Sequence, residues 1–297
     1  MKKILLALLF IITMPSYAAI NYTKSDSIKV MQLLNKGKKL AKDQNLILFY
    51  ARQLIGIPYV AQTLEVNKEE QLIVNLHQLD CTTYVENVLA LTLCTENKKQ
   101  PTFLDFCYYL RMLRYEDGKV GYPTRLHYFT HWISNNNKLG FVYEIKSKKP
   151  PFTKIQTVKT DYMSNHIENY PMLKAHPEWV KEIRKMEQSL TGKQFNYIPK
   201  DMITNTIQCR NAIKDGDIIA IITSKKGLDT SHIGIAVWHK DGLHMLNASQ
   251  VRHKVVEEPM LLRTYMAKHP MQTGIRIIRV GTVSYTHLRA HETRHDL

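Results

Sequence analysis

Apolar residues in the first half of the chain recur at the spacing of amphipathic helices. This pattern predicts helices around 28–40, over 46–54, from 81 to about 93, and from about 103 to 114. Gly56 and Pro58 end the second of these helices. The alternation of Leu72, Val74 and Leu76 then indicates a short strand before the third helix.

The pattern changes after Asp215. Short β-branched or alternating segments, divided by Gly and Asp turns, predict strands over 217–223, 232–238, 243–249, 252–257 and 274–280. Successive strands of this kind form an antiparallel meander. Helices followed by a sheet indicate an α+β fold.

The middle of the chain has a weaker pattern. It contains an aromatic-rich stretch over 128–133 and a helical stretch over 175–190. We interpret about 115–210 as a helical and loop insertion that shapes a cleft. The expected organisation is then a single domain over 19–281.

The N-terminus has the features of a secretory signal peptide. Lys2 and Lys3 precede an apolar run, and Ser16-Tyr17-Ala18 places small residues at both cleavage-determining positions. We expect residues 1–18 to be removed and the protein to be exported, to the periplasm or outside the cell. The apolar run is shorter than the roughly 18 residues that a membrane helix needs, so no stable membrane insertion is expected after cleavage. The alternative is an anchor that is never cleaved.

Charge and cysteine content narrow the choice of partners. The formal charge is +15, and loss of Lys2 and Lys3 leaves +13, spread without long basic runs or a nucleic-acid motif. We therefore expect no nucleic-acid partner, although the charge suits an anionic wall fragment.

Of the four cysteines, Cys94 and Cys107 have apolar neighbours and fit buried thiols.

The last sixteen residues differ from the rest. His291-Glu-Thr-Arg-His295 matches the zinc-protease pattern H-E-x-x-H, which needs a buried helix and a third ligand. The pattern lies at the very end of a segment that follows the last apolar strand. We interpret 282–297 as a non-native, disordered tail and expect neither a metal site nor another cofactor.

Three residues have the chemistry of a cysteine hydrolase. Cys81 starts a helix, where free N–H groups and a partial positive charge stabilise a thiolate and lower its pKa. His232 opens a strand and shares its face with small Gly234, which leaves room for another segment. Asn247 on the next strand is expected on that face, directly or diagonally opposite, where it would orient the imidazole. Each residue alone also fits a structural role.

The chain resembles the NlpC superfamily of papain-like cell-wall cysteine peptidases. The resemblance rests on four ordered motifs: Ala51-Arg-Gln-Leu-Ile-Gly-Ile-Pro-Tyr59, Leu79-Asp-Cys-Thr82, Ser231-His-Ile-Gly-Ile235 and Leu246-Asn-Ala248. It implies a papain-like core in which the nucleophile, at a helix N-terminus, packs on an antiparallel sheet.

A narrower resemblance is to an N-acetylmuramoyl-L-alanine amidase-like branch. Its matching features are Arg125-Leu-His-Tyr128, Tyr162-Met-Ser164, Ile198-Pro-Lys200 and Leu228-Asp-Thr-Ser-His232. Three departures from the broader pattern weaken an endopeptidase role: Val60-Ala-Gln62 replaces Trp-Gly-Gly, Thr82-Thr83 replaces Ser-Gly, and Asn247 replaces the commoner His.

The resemblance implies a cysteine amidase that cuts the bond between N-acetylmuramic acid and L-alanine in peptidoglycan fragments, during wall turnover or recycling. Cys81, His232 and Asn247 would be catalytic. Candidate substrate-binding residues are Tyr59, Asp80, Thr82, Arg125 and Ser164. The alternatives are an endopeptidase that cuts between D-glutamate and diaminopimelate, and an inactive wall-binding module.

Overall fold

The computed structural model describes residues 20–281, in which helices pack on both faces of a mixed-length antiparallel sheet. The helices are α1 (Lys24–Gly37), α2 (Leu46–Gln53), α3 (Cys81–Asn97), α4 (Phe103–Arg114), α5 (Phe129–Lys138), α6 (Tyr162–Asn165), α7 (Pro171–Ala175), α8 (Val180–Leu190), α9 (Ile207–Ala212) and α10 (Leu262–Ala267). The strands are β1 (Ile20–Asn21), β2 (Leu72–Ile73), β3 (Val142–Glu144), β4 (Lys154–Thr157), β5 (Gln194–Pro199), β6 (Ile218–Thr223), β7 (Thr230–Trp238), β8 (Leu243–Ser249), β9 (Lys254–Glu257) and β10 (Gln272–Val280). The predicted α+β class is confirmed.

The strand order of the large sheet is β4-β5-β10-β6-β7-β8-β9, and β3 also pairs with β10. Strands β6 to β9 form the predicted meander. The last strand departs from it, because β10 returns to the free edge of β6 instead of pairing with β9. Helix α10, which was not predicted, makes this return possible by carrying the chain back across the sheet.

Alternating residues of the strands divide the core between the two faces of the sheet. Ile233 and Ile235 of β7 face α1 to α5, in the larger of the apolar clusters. Ala236 of β7 and Met245 of β8 face the other way, together with Met266 of α10. Each face therefore has its own helical cover.

Helix α3 lies at the centre of the larger cluster. Its residues from 83 to 95 are all buried, which fits a sequence that is apolar on several sides. A buried charge pair joins it to α4, with Arg114 Nε 2.7 Å from Glu86 Oε2. This packing fixes the start of α3, where Cys81 lies, against the sheet.

The segment 115–210 contributes more sheet than its pattern suggested. Strands β4 and β5 pair with each other, and β5 pairs with β10. A third apolar cluster, which includes Tyr128, Met163 and Ile183, belongs to this segment. Helix α8 covers the second part of the helical stretch predicted over 175–190.

Within residues 20–281, no helix is both long and apolar enough to cross a membrane. The predicted signal peptide and the predicted tail both lie outside the described residues.

Candidate active site

Cys81 is the first residue of α3, and a capping box fixes its position. Asp80 Oδ1 accepts a hydrogen bond from the Thr83 N–H at 2.8 Å, and Thr83 Oγ1 accepts one from the Asp80 N–H at 2.9 Å. The backbone N–H of Cys81 has no partner within the helix because it belongs to the first turn. It lies beside the thiol, and its hydrogen bond to Cys81 Sγ favours the thiolate.

His232 and Asn247 form a hydrogen-bonded pair on adjacent strands. Ile235 lies opposite Leu246, so the register places Asn247 diagonally across from His232, as expected. The distance from His232 Nε2 to Asn247 Oδ1 is 3.0 Å. Asn247 is fully buried, and its Nδ2 donates to the Met245 carbonyl at 3.4 Å. Oδ1, which can only accept, therefore faces the imidazole.

This pairing fixes the tautomer of the imidazole. Nε2 of His232 must carry the proton that it donates to Asn247, so Nδ1 carries a free lone pair. An imidazole held in this form can accept a proton at Nδ1. Asn247 thus makes the hydrogen bond to His232 that its predicted orienting role requires.

The start of α3 meets strand β7 at Ile233. The N–H of Ile233, the residue after His232, donates to Cys81 Sγ. No hydrogen bond within residues 20–281 joins Sγ to the imidazole itself. The room expected beside Gly234 is taken by the next strand, because a Cβ there would come within 2.5 Å of Met245 Cγ. Cys81 reaches β7 from the sheet face covered by α3 instead.

Burial determines the protonation of the thiol. It raises the pKa of Cys81 to about 12, and the Asp80 carboxylate adds to this effect. Hydrogen bonds from the Ile233 N–H and the Thr82 hydroxyl favour the thiolate without offsetting the increase. The expectation of a lowered pKa is therefore wrong, because burial outweighs the helix terminus.

Burial also lowers the pKa of His232, although the hydrogen bond to Asn247 opposes this effect. A histidine with a lowered pKa is neutral at neutral pH. The site therefore rests as a neutral thiol beside a neutral imidazole.

Tyr59 and Thr82, both predicted to bind substrate, lie close to Cys81. The Tyr59 N–H donates to the His253 carbonyl at 3.0 Å, and Tyr59 bridges to Leu79 just before the helix. Burial, and next the charge of Cys81, raise the pKa of Tyr59 to about 12, so its hydroxyl stays a donor. Thr82 Oγ1 lies 4.0 Å from Cys81 Sγ.

Arg125 lies in a buried ion-pair network. Its guanidinium pairs with Glu65 and, at 3.4 Å, with Glu70, and it stacks over the Tyr122 ring at 4.7 Å. Among the contacts of the described residues, none links Arg125 to Cys81. The guanidinium of this predicted substrate-binding residue is thus already paired with two carboxylates of the chain itself.

Ser164 is buried in α6, and its N–H donates to Glu187 Oε1 at 3.2 Å. The same oxygen accepts from the Tyr128 hydroxyl at 2.7 Å. These contacts hold α6 in the third cluster, and none within the described chain reaches the Cys81 site.

Sequence reasoning missed the residues that follow β9. Burial, and then the charges of Glu258 and Cys81, raise the pKa of Tyr265, and the charge of His269 adds to the burial that lowers the pKa of His232. No periodic signal in the sequence singles out α10, the short helix that contains Tyr265. Only its place between two predicted strands could have drawn attention to it.

Within residues 20–281, no group of three or more His, Cys, Asp and Glu side chains could hold a metal ion. The H-E-x-x-H pattern lies outside these residues.

Comparisons with known proteins match most of the chain. An N-acetylmuramoyl-L-alanine amidase of Bacteroides uniformis is 37% identical with a TM-score of 0.74, covering 79% of this chain and 98% of its own. A Bacteroides fragilis protein with a provisional xylanase name is 40% identical with a TM-score of 0.72, covering 78% of this chain and 100% of its own. Comparison with curated proteins gives no significant match.

A Legionella pneumophila protein of the DUF1460 family shares the fold at 22% identity, with a TM-score of 0.67 over 86% of this chain and 95% of its own. The AmiA-like family model, described as N-acetylmuramoyl-L-alanine amidase-like, matches residues 50–275, which include Cys81, His232 and Asn247. The chain therefore belongs to the N-acetylmuramoyl-L-alanine amidase-like family.

Proposed function

We propose that the protein is a cysteine amidase that hydrolyses the bond between N-acetylmuramic acid and L-alanine in peptidoglycan fragments. The observation that carries this proposal is the oriented His232–Asn247 pair on the strand that also meets Cys81. The arrangement of Cys81, His232 and Asn247 supports assignment of the chain to the papain-like NlpC superfamily. The family description and the Bacteroides uniformis amidases support the choice of bond.

The first half of the reaction forms a thioester. His232 Nδ1 takes the thiol proton as Cys81 Sγ attacks the lactyl carbonyl carbon. The carbonyl oxygen becomes an oxyanion that accepts hydrogen bonds from the Cys81 N–H and the Tyr59 hydroxyl. As the C–N bond breaks, His232 gives its proton to the nitrogen, which leaves as the amino group of L-alanine.

The second half restores the enzyme. His232 Nδ1 removes a proton from water, and the hydroxyl attacks the thioester carbon. The C–S bond breaks, the sulfur takes the proton back from His232, and the lactyl carboxylate of the sugar is released. Asn247 holds the imidazole in one tautomer through both halves.

The chemistry at the site favours an amide over a glycosidic bond. Glycosidases use a pair of carboxylic acids across the scissile bond. The groups that meet around Cys81 are a thiol, an imidazole and a carboxamide, and the carboxylate of Asp80 caps α3. The xylanase name of one neighbour therefore gains no support from this geometry.

The test is mass spectrometry of defined muropeptides digested with the wild type, Cys81→Ala and His232→Ala. We expect the wild type to release a peptide that begins with L-alanine and a peptide-free sugar, and both variants to lose nearly all turnover. Cys107→Ala, which removes a buried thiol from α4, is the matched control and should keep it.

The products separate the alternatives. A sugar that retains a dipeptide would instead identify the D-glutamyl-diaminopimelate endopeptidase. Wild-type turnover by Cys81→Ala would contradict the cysteine mechanism for either bond.

We further propose that the protein acts outside the cytoplasm, in wall turnover or recycling. The charged start and short apolar run of the N-terminus support this location. N-terminal sequencing of exported protein should begin near Ala19, and an intact Met1 would contradict the proposal.

A further inference from the structure

The chain enters β7 through a short segment that the insertion holds on more than one side. The carbonyl of Gly227 accepts a hydrogen bond from the Tyr162 N–H, at the start of α6, at 3.2 Å. The carbonyl of Asp229 accepts another from Gln156 Nε2 of β4 at 2.7 Å. His232 therefore follows a segment whose path depends on the insertion as well as on the sheet.

The carboxylate of Asp229 joins this segment to α5. Asp229 is 2% exposed, and its Oδ2 accepts a hydrogen bond from the Thr130 N–H at 2.6 Å. Its Oδ1 accepts one from the N–H of Thr230, the first residue of β7, at 2.8 Å. Both oxygens thus bind backbone donors, one in a helix of the insertion and one in the strand that carries His232.

Asp229 also takes the place of a side-chain cap for α5. Tyr128, the residue at the N-cap position, makes no side-chain capping bond. A side-chain oxygen that accepts from the second N–H of a helix is the usual cap contact, and a helix N-terminus favours a negative charge. Arg276 of β10 donates to Thr130 Oγ1 at 2.8 Å, so the capped turn is itself held in place.

Strand β7 contains one extra residue beside His232. Ile221 of β6 lies opposite His232, but Ile222 lies opposite Thr230. Ser231 is therefore a β-bulge, and a bulge bends its strand and changes the direction of neighbouring side chains. This bulge lies directly between the anchored start of β7 and the imidazole.

We propose that Asp229 is a positioning residue for His232. Its carboxylate anchors the start of β7 to α5, which fixes the bulge and thereby the direction from which the imidazole reaches Asn247 Oδ1 at 3.0 Å. This inference rests on the cysteine amidase function proposed above. It gives the insertion a role as the frame that holds His232.

The first test compares Asp229→Asn with the wild type on a defined muropeptide. An amide offers one acceptor oxygen to the two N–H donors that a carboxylate satisfies, so the anchor is broken without a change of shape. A misplacement of about 1 Å can lower a rate by about 100-fold, so we expect kcat to fall about 10- to 100-fold with KM within about twofold.

The matched control is Asp26→Asn. Asp26 is equally buried, and its two oxygens likewise accept backbone N–H groups, from Leu76 at 2.8 Å and from Thr23 at 3.0 Å. These contacts hold α1, away from β7. Measured below its thermal midpoint, Asp26→Asn should keep kcat.

NMR of protein labelled at its histidine nitrogens shows the position of His232 without substrate. In the wild type, the hydrogen bond to Asn247 keeps the proton on Nε2, so His232 should give the signals of one tautomer. In Asp229→Asn we expect a mixture of both neutral tautomers, because the imidazole loses its alignment with Asn247. His232→Ala identifies the signals by their loss, and Asp26→Asn should keep the single tautomer.

Either a wild-type kcat or an unchanged tautomer in Asp229→Asn would overturn this inference, and so would an equal loss of kcat in Asp26→Asn. If Asp229→Asn does not fold, Gln156→Ala decides, because it removes only the bond to the Asp229 carbonyl. We expect it to lose kcat several-fold, and a wild-type kcat there would overturn the inference. An active Cys81→Ala would instead overturn the proposed function.

Discussion

Cys81 and His232 share one transferable proton, and the resting structure places it on sulfur. Burial raises the pKa of the thiol to about 12 and lowers that of the imidazole, so a preformed thiolate–imidazolium pair is disfavoured. In the proposed reaction, the proton therefore moves from sulfur to the imidazole while sulfur attacks the substrate carbonyl. Asn247 matters at this moment because it keeps the lone pair of His232 on Nδ1.

Thiol labelling tests this protonation state. Iodoacetamide should modify Cys81 before Cys94 and Cys107, because burial raises the pKa of all three to about 12 but only Cys81 is partly exposed. Since the raised pKa keeps the thiol protonated, the Cys81 rate should climb with pH without a plateau below about pH 10. Peptide mass spectrometry measures each site, and a plateau near pH 7 would show a thiolate instead.

Replacement of Asn247 by alanine tests the orienting role. The variant loses the acceptor for Nε2, so the imidazole can adopt the wrong tautomer. We expect kcat to fall roughly 10- to 100-fold, less than in His232→Ala, since the base itself remains. Asn87→Ala, another buried asparagine, bonds within α3 and should keep kcat. Equal losses in Asn247→Ala and His232→Ala would argue against a merely orienting role.

At the scale of elements, prediction succeeded where local pattern and burial agree. The predicted bounds of α4 and β8 match the structure, because α4 has an apolar face at helical spacing and β8, which is buried throughout, follows the turn at Asp241-Gly242. The shared strand face of His232 and Asn247 also followed from strand parity, whereas their diagonal relation comes from the observed register. By contrast, β2 spans two residues and pairs with β1 in parallel, a long-range contact that alternation cannot reveal. The path of β10 depends on α10, which is too short to show periodicity.

The Glu86–Arg114 pair provides a stability prediction for the packing of α3 on α4. Both side chains are almost completely buried, and Arg114 Nη1 also donates to the Ile73 carbonyl at 2.7 Å. Glu86→Ala leaves a buried guanidinium without its carboxylate, which typically costs about 3–5 kcal/mol. Urea denaturation should show this loss in the free energy of unfolding.

The control is the exposed pair of Lys138 and Asp117, where Nζ lies 2.9 Å from Oδ1. Lys138→Ala should cost less than about 1 kcal/mol, because water solvates both charges. Similar losses in Glu86→Ala and Lys138→Ala would mean that the buried pair contributes no more than a surface one.

At the scale of the whole molecule, the site lies where its two main parts meet. Helix α3 carries Cys81, the proposed nucleophile, and the meander that begins more than 130 residues after this cysteine carries His232 and Asn247, the proposed base and its partner. Within residues 20–281, Cys81 meets the sheet through apolar packing and through the hydrogen bond from the Ile233 N–H to its Sγ. The sequence identifies helix α3 and the meander separately. The pKa of the Cys81 thiol could not be predicted, because it depends on how the helix packs against the sheet.

The overall charge leads to a prediction about substrate capture. The chain carries a formal charge of +15, or +13 after the predicted cleavage, whereas muropeptides carry carboxylates. Long-range attraction extends about 30 Å at 0.01 M salt and about 10 Å at 0.1 M, so added salt should weaken the encounter. We expect KM for an anionic muropeptide to rise several-fold between about 0.01 and 0.3 M NaCl, while kcat changes little because the buried Cys81–His232 site is screened much less. The same fragment with its carboxylates amidated is the control, and its KM should stay nearly constant. Equal salt dependence for both fragments would show that the positive charge does not attract the substrate.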